Sequence, residues 1–296
     1  MKILYMGDGE WGKLSLSKLL QNNCEIVGVV LRTNPSDENL YKLAKKNNLP
    51  IYQPKNINSD IFYNKVKELN PDLIISMSYD QIIKEKLINY PPNGIINVHA
   101  GLLPYYRGRS PINWALINGE DYIGLTVHYI DKTIDTGDII LQRKIKINAD
   151  DDYKSILKKT QKLAPELLFQ AVVLIENDAV VLKENNPDKG FYLPKRTEGD
   201  EIINWSWSSK RIHNFIRALV PPGPCARTYL DGQEIKILKS KLIDKPNFVG
   251  NCGQILENNN GIIVKTGDSV IKIIKIVKNG MKKKPDFNIG KNLGAN

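Results

Sequence analysis

The chain predicts an α/β protein: a Rossmann-like, mostly parallel sheet with helices on both faces, followed by a small barrel of oligonucleotide-binding (OB) type. Two patterns carry this expectation. In the first 195 residues, apolar runs of strand length alternate with segments of helical spacing, which is the signature of βαβ units and a parallel sheet. Beyond Arg196, short strands separated by turn residues take over, as in small barrels. A length of 296 residues suits two domains, placed at 1–195 and 196–296.

Each element follows from local spacing. Lys2–Met6 is an apolar run that ends at Gly7-Asp8-Gly9. Leu14, Leu16, Leu19 and Leu20 repeat at helical intervals within Lys13–Gln21. Cys24–Leu31 reads as a buried strand. Leu40–Asn47 reads as a polar helix with Leu43 and Ala44 inward. Ser59 is placed to cap a helix through Leu69, with Pro71 after its stop. Leu73–Met77 and Ile95–His99 are further apolar strands, and a helix starts after Pro111. Gly124–Ile130 and Ile139–Ile147 alternate as strands at one side of the sheet, and Tyr153–Glu176 is the longest helical stretch. In the last third, Ser209–Leu219 is a helix ended by Pro221-Pro222-Gly223-Pro224. Asp231-Gly232 and Asn258-Asn259-Asn260-Gly261 mark hairpins.

Composition narrows the function classes. Hydrophobic content of 42% and charged content of 25% describe an ordinary globular protein. No run reaches the length of a transmembrane helix. The short apolar stretch at Met1–Met6 reads as a strand and not a signal peptide. Cys24, Cys225 and Cys252 are scattered without metal spacing. A reducing cytoplasm and no bound metal are therefore expected. The formal charge is +10, and residues from Arg196 onward carry 17 Lys/Arg against 9 Asp/Glu. A solvated basic face and a nucleic-acid surface are both consistent with that excess.

Asn97 and His99 carry the strongest chemical signal. Residues two apart on a strand share a face, here at the carboxyl end of a strand, where open α/β sheets hold ligands. An amide donor beside a proton carrier suits a reaction that builds negative charge on a carbonyl oxygen. Two buried polar residues satisfied by backbone are the alternative. His128 lies inside a strand and His213 on a helix, and both rank lower. Asp135, in Ile134-Asp135-Thr136-Gly137-Asp138, cannot be placed near His99 by spacing alone. Gly7-Asp8-Gly9-Glu10-Trp11-Gly12 has dinucleotide-loop form. However, the acid expected on the second strand is replaced by Leu31-Arg32-Thr33, and Asp8 and Glu10 would repel phosphate. Arg107 and Arg109 around Gly108, beside Tyr105 and Tyr106, suit a carboxylate or phosphate group.

The segments INVHAGLLPYYRGRSPINWALINGE (Ile96 to Glu120) and GLTVHYIDKTIDTGDII (Gly124 to Ile140) resemble the folate-dependent formyltransferases. The resemblance spans nearly the whole chain. It implies formyl transfer from N10-formyltetrahydrofolate to an amine, with Asn97, His99 and Asp135 matching the family's catalytic trio. It further implies that Gln81, Ile82 and Ile83 line the folate pocket. Arg109 and Asp131, Lys132, Thr133 and Ile134 match positions that contact the donor. In this picture Asn97 and, if protonated, His99 stabilise the oxyanion, while Asp135 orients His99 and helps carry protons.

The acceptor is expected to be a nucleotide-linked amino sugar of surface polysaccharide synthesis, with methionyl-tRNA as the alternative. Three features favour the sugar. The stretch Arg32-Thr33-Asn34-Pro35-Ser36-Asp37-Glu38 is short and holds two acids, unlike the longer basic loop of the tRNA enzymes. Val220-Pro221-Pro222-Gly223-Pro224-Cys225 replaces their Asn-Pro-Trp-Pro-Gly segment. The Tyr106–Trp114 segment looks most like the domain acting on UDP-4-amino-arabinose. The basic tail speaks for tRNA, and a homodimer stays open. An oxidoreductase-type nicotinamide binder and a formyltetrahydrofolate hydrolase are the competing classes.

Overall fold

In the computed structural model, residues 1–33, 37–244 and 249–294 are described. The first half of the chain alternates as expected, with β1 (Lys2–Gly7), α1 (Gly9–Gln21), β2 (Glu25–Val30), α2 (Glu38–Lys46), β3 (Ile51–Tyr52), α3 (Asp60–Leu69) and β4 (Leu73–Met77). Then come α4 (Glu85–Ile88), β5 (Ile95–His99), β6 (Arg107–Gly108), α5 (Pro111–Asn118), β7 (Tyr122–Tyr129), β8 (Ile139–Lys146) and α6 (Tyr153–Glu176). Seven of these strands form one sheet in the order β3-β2-β1-β4-β5-β7-β8. β1 pairs in parallel with β2 and β4, and β4 with β5, whereas β7 runs antiparallel to β5.

The helix boundaries follow capping chemistry. Ser59 accepts a hydrogen bond from the Phe62 N–H and starts α3, and Asp37 accepts from Asn39 and Leu40 to start α2. Inward positions of α2 are Leu40 and Ala44, one turn apart, with Leu43 only partly buried. One face of the sheet buries Ile3, Tyr5, Ile75, Ile96, Val98, Leu125 and Val127 with α1 and α6. The other buries Leu4, Met6, Ile74 and Ile95 with Phe62 and Val66 of α3. Both faces are covered, so the central strands read as unbroken apolar runs.

The last third holds β9 (Tyr192–Leu193), α7 (Ser209–Leu219), β10 (Ala226–Leu230), β11 (Gln233–Leu242), β12 (Ile255–Asn258), β13 (Ile262–Lys265), β14 (Val270–Lys278) and β15 (Met281–Lys283). β9 pairs with β6. The others form an antiparallel sheet, β10-β11-β14-β13-β12, with β15 added to β14. Asp231 and Gly232 both have positive φ, +51° and +74°, as a two-residue type I′ hairpin requires. Residues 292–294 bridge Gln254, before β12, and Tyr229 in β10. Those contacts join the two ends of the strand order, closing the sheet into a small barrel.

By contact density the described chain divides into two compact units. One comprises residues 1–108, 123–145 and 158–193; the other comprises 109–122, 146–157 and the chain from 194 onward. Within the second, the Asn113 amide of α5 donates to the Ala218 carbonyl of α7 at 2.6 Å. Among the described residues no helix is long and apolar enough to cross a membrane.

Candidate active site

β5 alternates between core and site. Ile96 and Val98 point into the apolar cluster, so Asn97 and His99 project to the opposite face. The antiparallel register sets His128 of β7 directly across from Asn97 and Thr126 across from His99. Four polar side chains are thus gathered by strand pairing alone.

The loop after β5 folds back to hold His99. The Thr126 hydroxyl donates to the Gly101 carbonyl at 2.7 Å, and the Gln142 amide donates to Thr126 and to the Leu103 carbonyl at 2.9 and 3.0 Å. Position 101 must be glycine, because a Cβ there would lie 2.6 Å from the His99 ring. His99 Nε2 lies 2.7 Å from the Tyr106 carbonyl oxygen. That oxygen only accepts, so Nε2 carries the hydrogen. His99 Nδ1 faces Asp135 Oδ2 at 3.5 Å.

Asp135 arrives from the turn between β7 and β8. Its φ of +56° is a left-handed conformation that aspartate tolerates better than most residues. The turn is pinned from far along the chain. The buried Asn185 amide donates to the carbonyls of Asp135 and Gly137, both at 3.0 Å. The Gly108 N–H donates to Asp135 Oδ2 at 2.8 Å, and His128 Nε2 lies 3.6 Å from Oδ1. Burial pushes the Asp135 carboxyl up. The two imidazoles, whenever they are protonated, and the Gly108 N–H outweigh burial and hold it well below the usual carboxylate range. Burial lowers the His99 pKa from its ordinary value, and the Asp135 charge offsets part of that shift. The resting pair is therefore a carboxylate beside a neutral imidazole whose Nδ1 lone pair is free. Desolvation thus works against the condition, a protonated His99, on which the sequence reading gave it an oxyanion role.

The candidate donor-binding residues divide. Ile83 is a core residue beside Phe62 and Val66, so it shapes the wall from behind. Gln81 braces a neighbouring loop, accepting from the Ile57 N–H at 3.0 Å and donating to the Pro54 carbonyl at 3.2 Å. Ile82 and Ile134 are exposed apolar side chains. Their segments are tied together by Lys132, which pairs with Glu85 at 2.7 Å. Asp131 accepts from the Thr133 N–H and the Thr136 hydroxyl, so it shapes the turn that presents Asp135. Thr133 and Arg109 are exposed.

Sequence reasoning under-ranked His128 and missed Asn185. Thr126 and His128, two apart on a strand otherwise apolar, carried a signal for the former. Nothing local marks Asn185, which lies 50 residues from Asp135. His213 is half-buried against Ser240, its Nδ1 3.0 Å from the hydroxyl, and belongs to the barrel-bearing unit. Among the described residues, the glycine loop offers no free phosphate cradle. The Gly9 N–H donates to Asp37 at 2.6 Å, and Arg32 pairs with Asp8 at 3.0 Å.

A doubly covered α/β sheet with an amide, an imidazole and a carboxylate at its mouth suits group transfer at a carbonyl carbon. Comparison makes the class specific. The sequence profile described as formyl transferase matches residues 1–172, and the profile described as formyl transferase, C-terminal domain, matches residues 195–288. The chain belongs to the formyl transferase family, whose formyl donor is a formyltetrahydrofolate. It is 33% identical to a methionyl-tRNA formyltransferase from Caldanaerobacter subterraneus subsp. tengcongensis, over 99% of this chain and 98% of that protein. It is 34% identical to one from Alkaliphilus oremlandii, over 96% and 94%. Its fold matches the N-formyltransferase of Helicobacter canadensis, solved with folinic acid and dTDP-3-aminofucose. That match has a TM-score of 0.72 and 22% identity, and covers 92% of this chain and 99% of that one.

These relatives overturn the expectation of an amino-sugar nucleotide acceptor. Identity of about one third across nearly the full length lies with enzymes named for methionyl-tRNA, whereas the sugar enzyme shares the fold. The features read as favouring sugar have local explanations. Asp37 caps α2, and Glu38 pairs with Lys42 within that helix. Asn34–Ser36 lie outside the described residues. The proline stretch closes α7, with the Cys225 N–H on the Leu219 carbonyl at 2.7 Å.

Proposed function

We propose that the chain formylates the amino group of methionyl-tRNA, using residues 1–195 as catalytic domain and 196–296 as an RNA-facing domain. The near-full-length identity to methionyl-tRNA formyltransferases carries the reading. The barrel adds independent support. Lys239 is paired across the sheet with Lys275, and Lys241 with Lys272. Like charges placed directly opposite cost stability, and a polyanion lying over them removes that cost while releasing its counterions.

The donor supplies an N-formyl carbonyl, open to attack at carbon. The rim suits it: exposed Ile82 and Ile134 offer apolar cover for a flat ring, and Lys132 offers a charge near an anionic tail. His99 Nδ1 takes the proton from the methionyl nitrogen as the new C–N bond forms. Asp135 stabilises the imidazolium that results. Asn97 donates an N–H to the formyl oxygen as negative charge develops there. When the old C–N bond breaks, His99 returns its proton to the departing nitrogen, and tetrahydrofolate leaves. His128 is a positioning residue that fixes the Asn97 amide.

Incubation of the full chain with formyl donor and methionyl-tRNA tests the proposal. Formylmethionyl-tRNA is expected, at rates far above those with uncharged tRNA or free methionine. Absence of product on the charged tRNA, with the donor consumed by another amine or by water, overturns it.

A further inference from the structure

An aromatic strip borders the reacting groups. Tyr105, Phe191 and Tyr192 are exposed by 46%, 39% and 47%, too open to be core and large enough to stack a base. The Tyr105 and Phe191 ring centroids lie 6.0 Å apart, and Phe191 meets the Tyr106 ring edge-on at 4.8 Å. The strip is held by main-chain pairing: β6 runs beside β9, and the Arg107 N–H donates to the Phe191 carbonyl at 3.2 Å.

Its backbone also touches the site. The Tyr106 carbonyl holds His99 Nε2, and the Gly108 N–H holds Asp135. The Tyr192 ring lies against Gly108 so closely that a Cβ there would sit 2.6 Å from it. Arg107 lies on the same segment, paired in register with Tyr192. Its Nη2 donates to the Pro187 carbonyl, and its buried Nε has no partner among the described residues.

We propose that Tyr105, Phe191 and Tyr192 form a stacking surface for the unpaired 3′-terminal nucleotides of the tRNA acceptor arm, with Arg107 facing their phosphates. This rests on the methionyl-tRNA reading. The methionyl group is esterified to the terminal ribose. An amine delivered to His99 therefore brings those nucleotides alongside the Tyr106–Gly108 segment. Exposed rings beside an arginine are the combination that holds single-stranded RNA with little regard to sequence.

The test measures KM for methionyl-tRNA and for the formyl donor in Tyr105→Ala, Phe191→Ala and Tyr192→Ala. The aromatic exchanges Tyr105→Phe, Phe191→Tyr and Tyr192→Phe serve as controls. Each alanine is expected to raise the tRNA KM about 5- to 100-fold while leaving the donor KM unchanged, and the aromatic exchanges to keep it near wild type. A fluorescent hairpin with an unpaired 3′ tail should bind the wild-type chain more tightly than its blunt form, and the alanine variants should lose that preference. An unchanged tRNA KM, or a rise confined to the donor KM, overturns the strip. The wild-type chain is the control for the function itself: if it formylates no tRNA, the methionyl-tRNA reading fails first and separately.

Discussion

Asn97 Nδ2 lies 3.2 Å from His128 Nε2, and the ring is held from its other side. His128 Nδ1 is 2.7 Å from the Tyr129 carbonyl, so Nδ1 carries a hydrogen and Nε2 is the ring atom turned toward Asn97. The Asn97 amide nitrogen can only donate, and its second N–H is the one assigned to the formyl oxygen in the proposed mechanism. His128→Leu should lower kcat about 10- to 100-fold through misorientation with little change in the donor KM. His128→Gln, which restores an acceptor, should recover most of the rate. In an Asn97→Ala background the His128→Leu loss should disappear. Losses that multiply in the double variant would contradict the coupling.

The His99–Asp135 pair sets a pH limb. Burial holds the His99 pKa below its ordinary 6.5, and the base form is the active one. Activity is therefore full above that pKa and lost as pH falls through it, on the acid side of 6.5. Asp135→Asn removes the charge that raises the His99 value. The acid limb of kcat should move to lower pH while the plateau rate falls. Stopped-time assays across pH 5–8 (a window of about three units around the ordinary histidine value) read this directly. A limb displaced upward would contradict a neutral His99.

Asn185 holds the turn that carries Asp135. Its amide holds two carbonyls that flank a left-handed residue. Asn185→Leu leaves both without their donor in a buried place, costing about 2 kcal/mol. The denaturation midpoint and kcat should fall together, with the donor KM little altered. A variant with wild-type midpoint and rate would show that the turn holds itself.

Much of this was legible in the sequence, for reasons that differ by residue. Asn97 and His99 stand out because strand alternation separates them from Ile96 and Val98. Asp231-Gly232 announces its hairpin because few residue pairs accept positive φ twice. Asp135 gives no such sign, since its approach to His99 depends on β7 reversing beside β5. Asn185 and the Tyr106 carbonyl act through contacts that no local pattern encodes. Closure of the barrel is made by residues 292–294, which carry no strand signature. The protonation of His99 depends on how completely it is desolvated, which spacing does not reveal.

The central claim is that Asn97, His99 and Asp135 together carry the formyl transfer. Single-turnover transfer to methionyl-tRNA, with enzyme in excess over the charged tRNA, tests it most directly. Asn97→Ala and His99→Ala should each slow the chemical step about 100- to 1000-fold while folding and tRNA binding persist. Wild-type single-turnover rates in either variant would contradict the account.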